Sequence, residues 1–205
     1  MKKYKYPFYI MFHPLNGFEE MKYRNGYSVF ISVVIFIFAV MLEIVNKQFT
    51  GNQIAIYDVD KVDLLITLIL RFAVIFIWAI SNWSFCVLMD GKGTFSKIWV
   101  ISNYSLVPYI VINYICIILS NVLIREESVF LSWLIMLGIL WSVVLIITGI
   151  MAIHEFTFSR TIYTIILTLL GMLIILFVIF LIFSLFQQVT STIITIFNEI
   201  AFRLR

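Results

Sequence analysis

The chain has 205 residues, of which 63% are hydrophobic, 17% aromatic and 12% charged, with a net charge of +3 and a mean hydropathy of +1.09. A soluble domain holds roughly 45–50% apolar and about 25% charged residues, so this balance excludes a water-soluble globule. The basic residues are scattered at segment ends, so no nucleic acid is expected as a partner.

Residues 1–15 mix Lys2, Lys3 and Lys5 with Tyr4, Tyr6, Phe8, Tyr9 and Phe12, and end at His13-Pro14. Cations among amphipathic rings suit the headgroup layer of an anionic leaflet. The apolar run that follows starts late and has no small-residue cleavage pattern, so an uncleaved first span is expected. Asn16 stands in N-cap position with Glu19 three residues on. A short helix through Arg24 then shares Phe18 and Met21 on one face and stops at Asn25-Gly26. Residues 1–26 thus read as an interfacial segment.

Five apolar segments follow, at about 27–46, 63–89, 97–123, 128–153 and 160–187. Crossing a hydrocarbon core of ~30 Å takes about 20 helical residues, and each segment is long enough. Unpaired backbone groups in lipid cost several kcal/mol each, so the spans must be helices. Between the second and third lies Asp90-Gly91-Lys92-Gly93-Thr94. It resembles a phosphate loop only superficially, because the spacing of a Walker motif after a strand is absent; the glycines of a tight turn account for it. Pro108 should kink or divide the third span, after a short interfacial piece capped at Thr94.

In the tail, residues 188–205, Val189, Ile193, Ile196, Phe197, Ile200 and Leu204 recur at helical spacing, which describes a surface-lying amphipathic helix. Gln187-Gln188 and Thr190-Ser191-Thr192 mark a bend before it. The expected fold is an all-α integral membrane protein. It is a single domain, residues 1–205: a bundle of five transmembrane helices with an interfacial N-terminal helix and an amphipathic C-terminal helix.

Orientation follows from Lys and Arg. One side carries Lys2, Lys3, Lys5, Lys22, Arg24, Lys92, Lys97 and Arg160; the other carries Lys47, Lys61, Arg125, Arg203 and Arg205. That is eight against five, with the acidic segment Asp58, Asp60 and Asp63 also on the poorer side. The N-terminus is expected in the cytoplasm and the C-terminus across a cell membrane.

Arg71 is the one formal charge well inside a span, ~12 Å in at 1.5 Å per residue from Asp63. An intramembrane charge needs a partner, and Glu43 lies at a reachable depth, so the two are expected to pair. Asn82, Asn103, Asn113 and Asn121 can hydrogen-bond between helices, where such bonds average about 0.6 kcal/mol. Gly138, Gly149 and Gly171 allow close helix contact. Cys86 and Cys116 lie at opposite depths, which argues against a disulfide. His13 and His154 fall on one face near Asp90 and Glu155. A metal or proton-linked cluster there is the lesser reading, and no catalytic set, metal site or cofactor is expected.

Several of these pieces belong together: His13-Pro14 with Gly17-Phe18 and Lys22, Asn82-Trp83, Gly91-Lys92-Gly93-Thr94-Phe95, Tyr104-Ser105-Leu106-Val107-Pro108-Tyr109, and His154-Glu155-Phe156. In combination and order they resemble the bacterial branch of the Yip (Ypt/Rab-interacting protein) domain family, over nearly the whole chain. The resemblance implies five spans, a cytoplasmic N-terminus and no enzymatic activity. Eukaryotic relatives bind prenylated Rab GTPases and shape or organise secretory membranes, and the resemblance does not extend to their long cytoplasmic N-terminal region. The expectation is therefore a non-enzymatic scaffold or accessory subunit in the lipid bilayer, engaging a membrane-protein partner (a transporter permease is one class) or a second copy of itself. Its partner face would comprise His13, Pro14, Phe18, Lys22, Asp90, Gly91, Lys92, Gly93, His154 and Glu155. The contrasting reading is a small-solute or ion transporter or channel using Arg71 and the asparagines.

Overall fold

Backbone groups in hydrocarbon must find their partners within the chain, and helices do this segment by segment. The computed structural model describes residues 3–24, 26–50 and 64–203. Among these there is no strand, and the α-helices are α1 (Tyr6–Phe12), α2 (Pro14–Tyr23), α3 (Val29–Phe49), α4 (Leu64–Leu88), α5 (Phe95–Ser105), α6 (Val107–Ser120), α7 (Ser128–His154) and α8 (Phe158–Arg203). Five segments are long and apolar enough to cross a membrane: Val29–Asn46, Leu65–Leu88, Phe95–Ser120, Ser128–His154 and Phe158–Ile196. Lys2, Asn25, Lys61, the acidic Asp58, Asp60 and Asp63, and Leu204 and Arg205 lie outside the described residues, as do the side chains of Lys47, Arg125, Phe197 and Ile200.

The N-terminal segment folds as a hairpin of two helices. α2 begins at Pro14, with His13 as its N-cap residue, so Asn16 lies inside the helix and makes no cap. Proline at N1 has no N–H to leave unpaired and its φ is already helical, which moves the start two residues earlier than a capping box would. Residues 6–12, expected as a tail in the headgroup layer, form α1. The apolar side of this hairpin faces protein: Tyr6, Ile10, Phe18 and Met21 are fully buried in one cluster with Val100, Ile101, Tyr104, Leu145 and Ile153. α1 runs inward, from Tyr6 beside Gly26 to Met11, whose carbonyl accepts from Trp141 Nε1 at 2.8 Å. α2 then returns alongside α7.

The third span is divided at Leu106, as Pro108 requires, because proline cannot donate the helical hydrogen bond. Its first part is no surface piece, however. Residues 100–105 of α5 are buried, and α5 packs against α3, α4 and α7. Thr94 precedes α5 without a side-chain cap; its carbonyl accepts from the Lys97 and Ile98 N–H groups. α6 lies along α7, and α4 against α8.

No break in the helix separates the tail from the fifth span: α8 is continuous over 46 residues, about 69 Å at 1.5 Å per residue. Gln187-Gln188 and the following Thr/Ser run signal a break only if their side chains compete with the backbone. Here they fold back along the helix, with Thr190 Oγ1 donating to the Phe186 carbonyl at 2.8 Å, Thr192 to Gln188 at 2.9 Å and Thr195 to Ser191 at 2.9 Å.

Candidate functional site: the face closed by Glu155 and His154

Two spans end at this face in the same way. α4 closes with Asp90 in the left-handed region (φ 56°), the Gly91 N–H reaching back to the Cys86 carbonyl at 2.7 Å and the Asp90 N–H to Val87 at 3.2 Å. That is a Schellman cap with an aspartate where glycine is usual. α7 closes with Glu155 at φ 57°, and the Phe156 N–H reaches Met151 at 3.3 Å. An aspartate tolerates the left-handed region better than a glutamate does, so Glu155 holds its conformation against a local cost.

What holds it is its carboxylate. Oε1 accepts from Lys22 Nζ of α2 at 2.7 Å, and Oε2 pairs with Lys92 Nζ of the 90–94 turn. Lys22 also donates to the Ala152 carbonyl at 2.9 Å, capping the end of α7. The hydrogen bonds from Lys22 and then Lys92 draw the Glu155 carboxyl down to about 2, and Glu155 in turn raises Lys92. Three segments more than 60 residues apart are thereby fastened at one carboxylate.

Beneath this junction His154 is buried, its ring stacked on Phe156 at 5.2 Å. The Gly93 N–H donates to Nδ1 at 3.2 Å, which selects the neutral tautomer protonated on Nε2. Gly91 and Gly93 are therefore needed for space. Neither has positive φ, and a Cβ on either would collide with the His154 ring. The tight turn expected from these glycines is made by Asp90 instead. Arg160, at the start of α8, completes the face: its guanidinium lies 4.4 Å over the Phe156 ring and donates to the Met89 carbonyl.

Of the residues expected at this face, Lys22, Asp90, Gly91, Lys92, Gly93, His154 and Glu155 come together. Phe18 lies below them, fully buried against Gly149, where an added Cβ would meet its ring at 3.1 Å. His13 and Pro14 are at the inner tip of the hairpin. His13 is exposed and stacks on Tyr9 at 4.9 Å. Its neighbour Met11 meets Trp141, thirteen residues and ~20 Å of helix before His154. The two histidines thus do not form a cluster, and among the described residues no three His, Cys, Asp or Glu side chains converge as metal ligands.

Within the spans, Arg71 Nε donates to Glu43 Oε2 at 2.7 Å, both side chains being partly exposed. Asn103 and Asn113 donate back to the Trp99 and Tyr109 carbonyls of their own helices at 2.9 and 2.8 Å. Asn82 donates to Thr168 Oγ1 at 3.1 Å, beside Ser81, which donates to the Thr168 carbonyl at 2.7 Å. The α8 side of that contact was not singled out from the sequence. Thr161, Thr164 and Thr168 are all fully buried against α4; their spacing of three and four residues was the available signal. Cys86 and Cys116 are buried free thiols.

The chain matches the Yip1 domain family over residues 8–197. No curated protein and no solved structure matches it.

Proposed function

The chain belongs to the Yip1 domain family, and from that premise we propose that it is a non-enzymatic scaffold or accessory subunit of the family's bacterial branch, engaging a membrane-protein partner through the Glu155 face. The combination and order of the motifs, from His13-Pro14 to His154-Glu155-Phe156, support the bacterial branch, and the eight-to-five distribution of Lys and Arg supports a cytoplasmic position for this face. The observation that carries the reading is the junction of Lys22 and Lys92 on Glu155. Solvent-exposed ion pairs add little to stability, so this junction contributes more to shape than to stability. It fixes a surface on which Tyr23, Asp90 and Lys92 stand exposed. The amide N–H groups of Asn82, Asn103 and Asn113 are committed within the bundle, which favours a packed scaffold over a solute path.

A photo-crosslinking side chain placed at Tyr23 or Lys92, and at Glu126 as the control on the opposite face, tests this in native membranes. A stoichiometric membrane-protein adduct from positions 23 and 92, absent from 126, is expected. Adducts from 126 alone would move the interface to the other side. Solute flux through liposomes holding the purified protein by itself would replace the scaffold reading with transport.

A further inference from the structure

A cavity of about 430 Å³ lies between the N-terminal hairpin, α3 and α6, within the range of small-molecule sites. Each wall is one helical stripe: Tyr4 and Phe8 on the first, Ile35 and Phe38 on the second, Val111 and Tyr114 on the third. The Tyr114 hydroxyl is turned to the Phe38 carbonyl at 3.2 Å, leaving walls that are almost wholly hydrocarbon. Such a space offers water too few hydrogen-bond partners to hold it, and left empty it forfeits dispersion contacts. Tyr4, Phe8 and Phe38 are each more than half exposed, so the groove opens sideways. In a bilayer that opening meets acyl chains.

The outer end of the groove is charged. α1 enters from the Glu155 face, where Tyr6 packs beside Gly26, and runs inward to Trp141. Lys3 and Lys5 flank Tyr4, which lines the groove at this end, while Phe38 and Tyr114 line it farther in. Both lysines are exposed, and among the described residues neither joins an ion pair. Glu155, Glu20 and Glu43, the carboxylates that do pair, are taken by other cations. We propose that this groove binds one anionic phospholipid, an acyl chain lying between α1, α3 and α6 and the phosphate meeting Lys3 and Lys5. The site is independent of the scaffold reading, since neither Glu155 nor the 90–94 turn takes part in it.

The test is native mass spectrometry of the full chain, reconstituted in vesicles of equal phosphatidylglycerol and phosphatidylethanolamine and released in mild detergent. The wild type is expected to retain one phosphatidylglycerol per chain. Lys3→Gln and Lys5→Gln, at exposed positions, should still hold a lipid but lose roughly fivefold in headgroup preference for each lysine removed. Ile35→Phe with Val111→Phe, which fills the groove, should lose the retained lipid. Four results would each overturn the site: no retained lipid in the wild type, retention without headgroup preference, unchanged retention in the filled variant, or a dimer that carries no lipid.

Discussion

Gly91 and Gly93 lie close enough to the His154 ring that a methyl group on either would have to displace it. Overpacking of this kind costs about 1–3 kcal/mol. Gly93→Ala should therefore lower the Tm measured in detergent, while Asp90→Gly, which relieves a left-handed aspartate, should leave it unchanged or raise it. The reverse order would mean that the glycines serve the turn and not the contact. From the sequence the turn itself was legible, but its reason was not, because His154 is more than 60 residues away.

Glu155 makes a pH-dependent contribution whose sign can be worked out. Its carboxyl lies near 2 in the folded protein against an ordinary 4.5, held down by Lys22 and Lys92. A depressed carboxyl pKa adds stability above the unfolded value, and that stability is lost as pH falls through the folded one. The wild type should thus melt above Glu155→Gln near neutral pH, with the gap closing between about pH 4.5 and 2. The gap stays small because the carboxylate is partly exposed. Parallel Tm curves across that window would exclude a folded-state role for the Lys22–Glu155–Lys92 junction.

Between elements, the contact most open to measurement joins α4 and α8. Ser81 and Asn82 meet Thr168, while Thr161, Thr164 and Thr168 are buried along one stripe. Hydrogen bonds between membrane helices average about 0.6 kcal/mol and reach about 1.7. Thr168→Val should destabilise by that order in a reversible unfolding assay, and combining it with Asn82→Leu should cost less than the sum, since the two share one bond. Strict additivity would dissolve the pair. Arg71 and Glu43 illustrate what depth arithmetic can reach: one charge inside a span and one carboxylate at a matching level lead to a single pairing. The continuous α8 illustrates where composition misleads. The same Gln, Thr and Ser residues can end a helix or bond back along it, and nothing in their spacing distinguishes the two.

At the scale of the whole molecule, length and hydropathy determined the class: an all-helical chain with five segments able to cross a membrane. Local chemistry determined the break near Pro108. Tertiary structure alone decided that the N-terminal helices sink their apolar side into the bundle, that Lys22 and Lys92 meet on Glu155, and that His13 stays away from His154. The reason is physical. In water, an apolar stripe identifies the face a helix buries; in lipid, tails are as apolar as leucine, and little hydrophobic force separates protein-facing from lipid-facing sides. In helices such as α7, apolar on nearly every side, glycines mark where a neighbour can approach closely but not which neighbour it is. Their arrangement rests on contacts such as Gly149 on Phe18 and Gly93 beneath His154, which exist only once distant segments have come together.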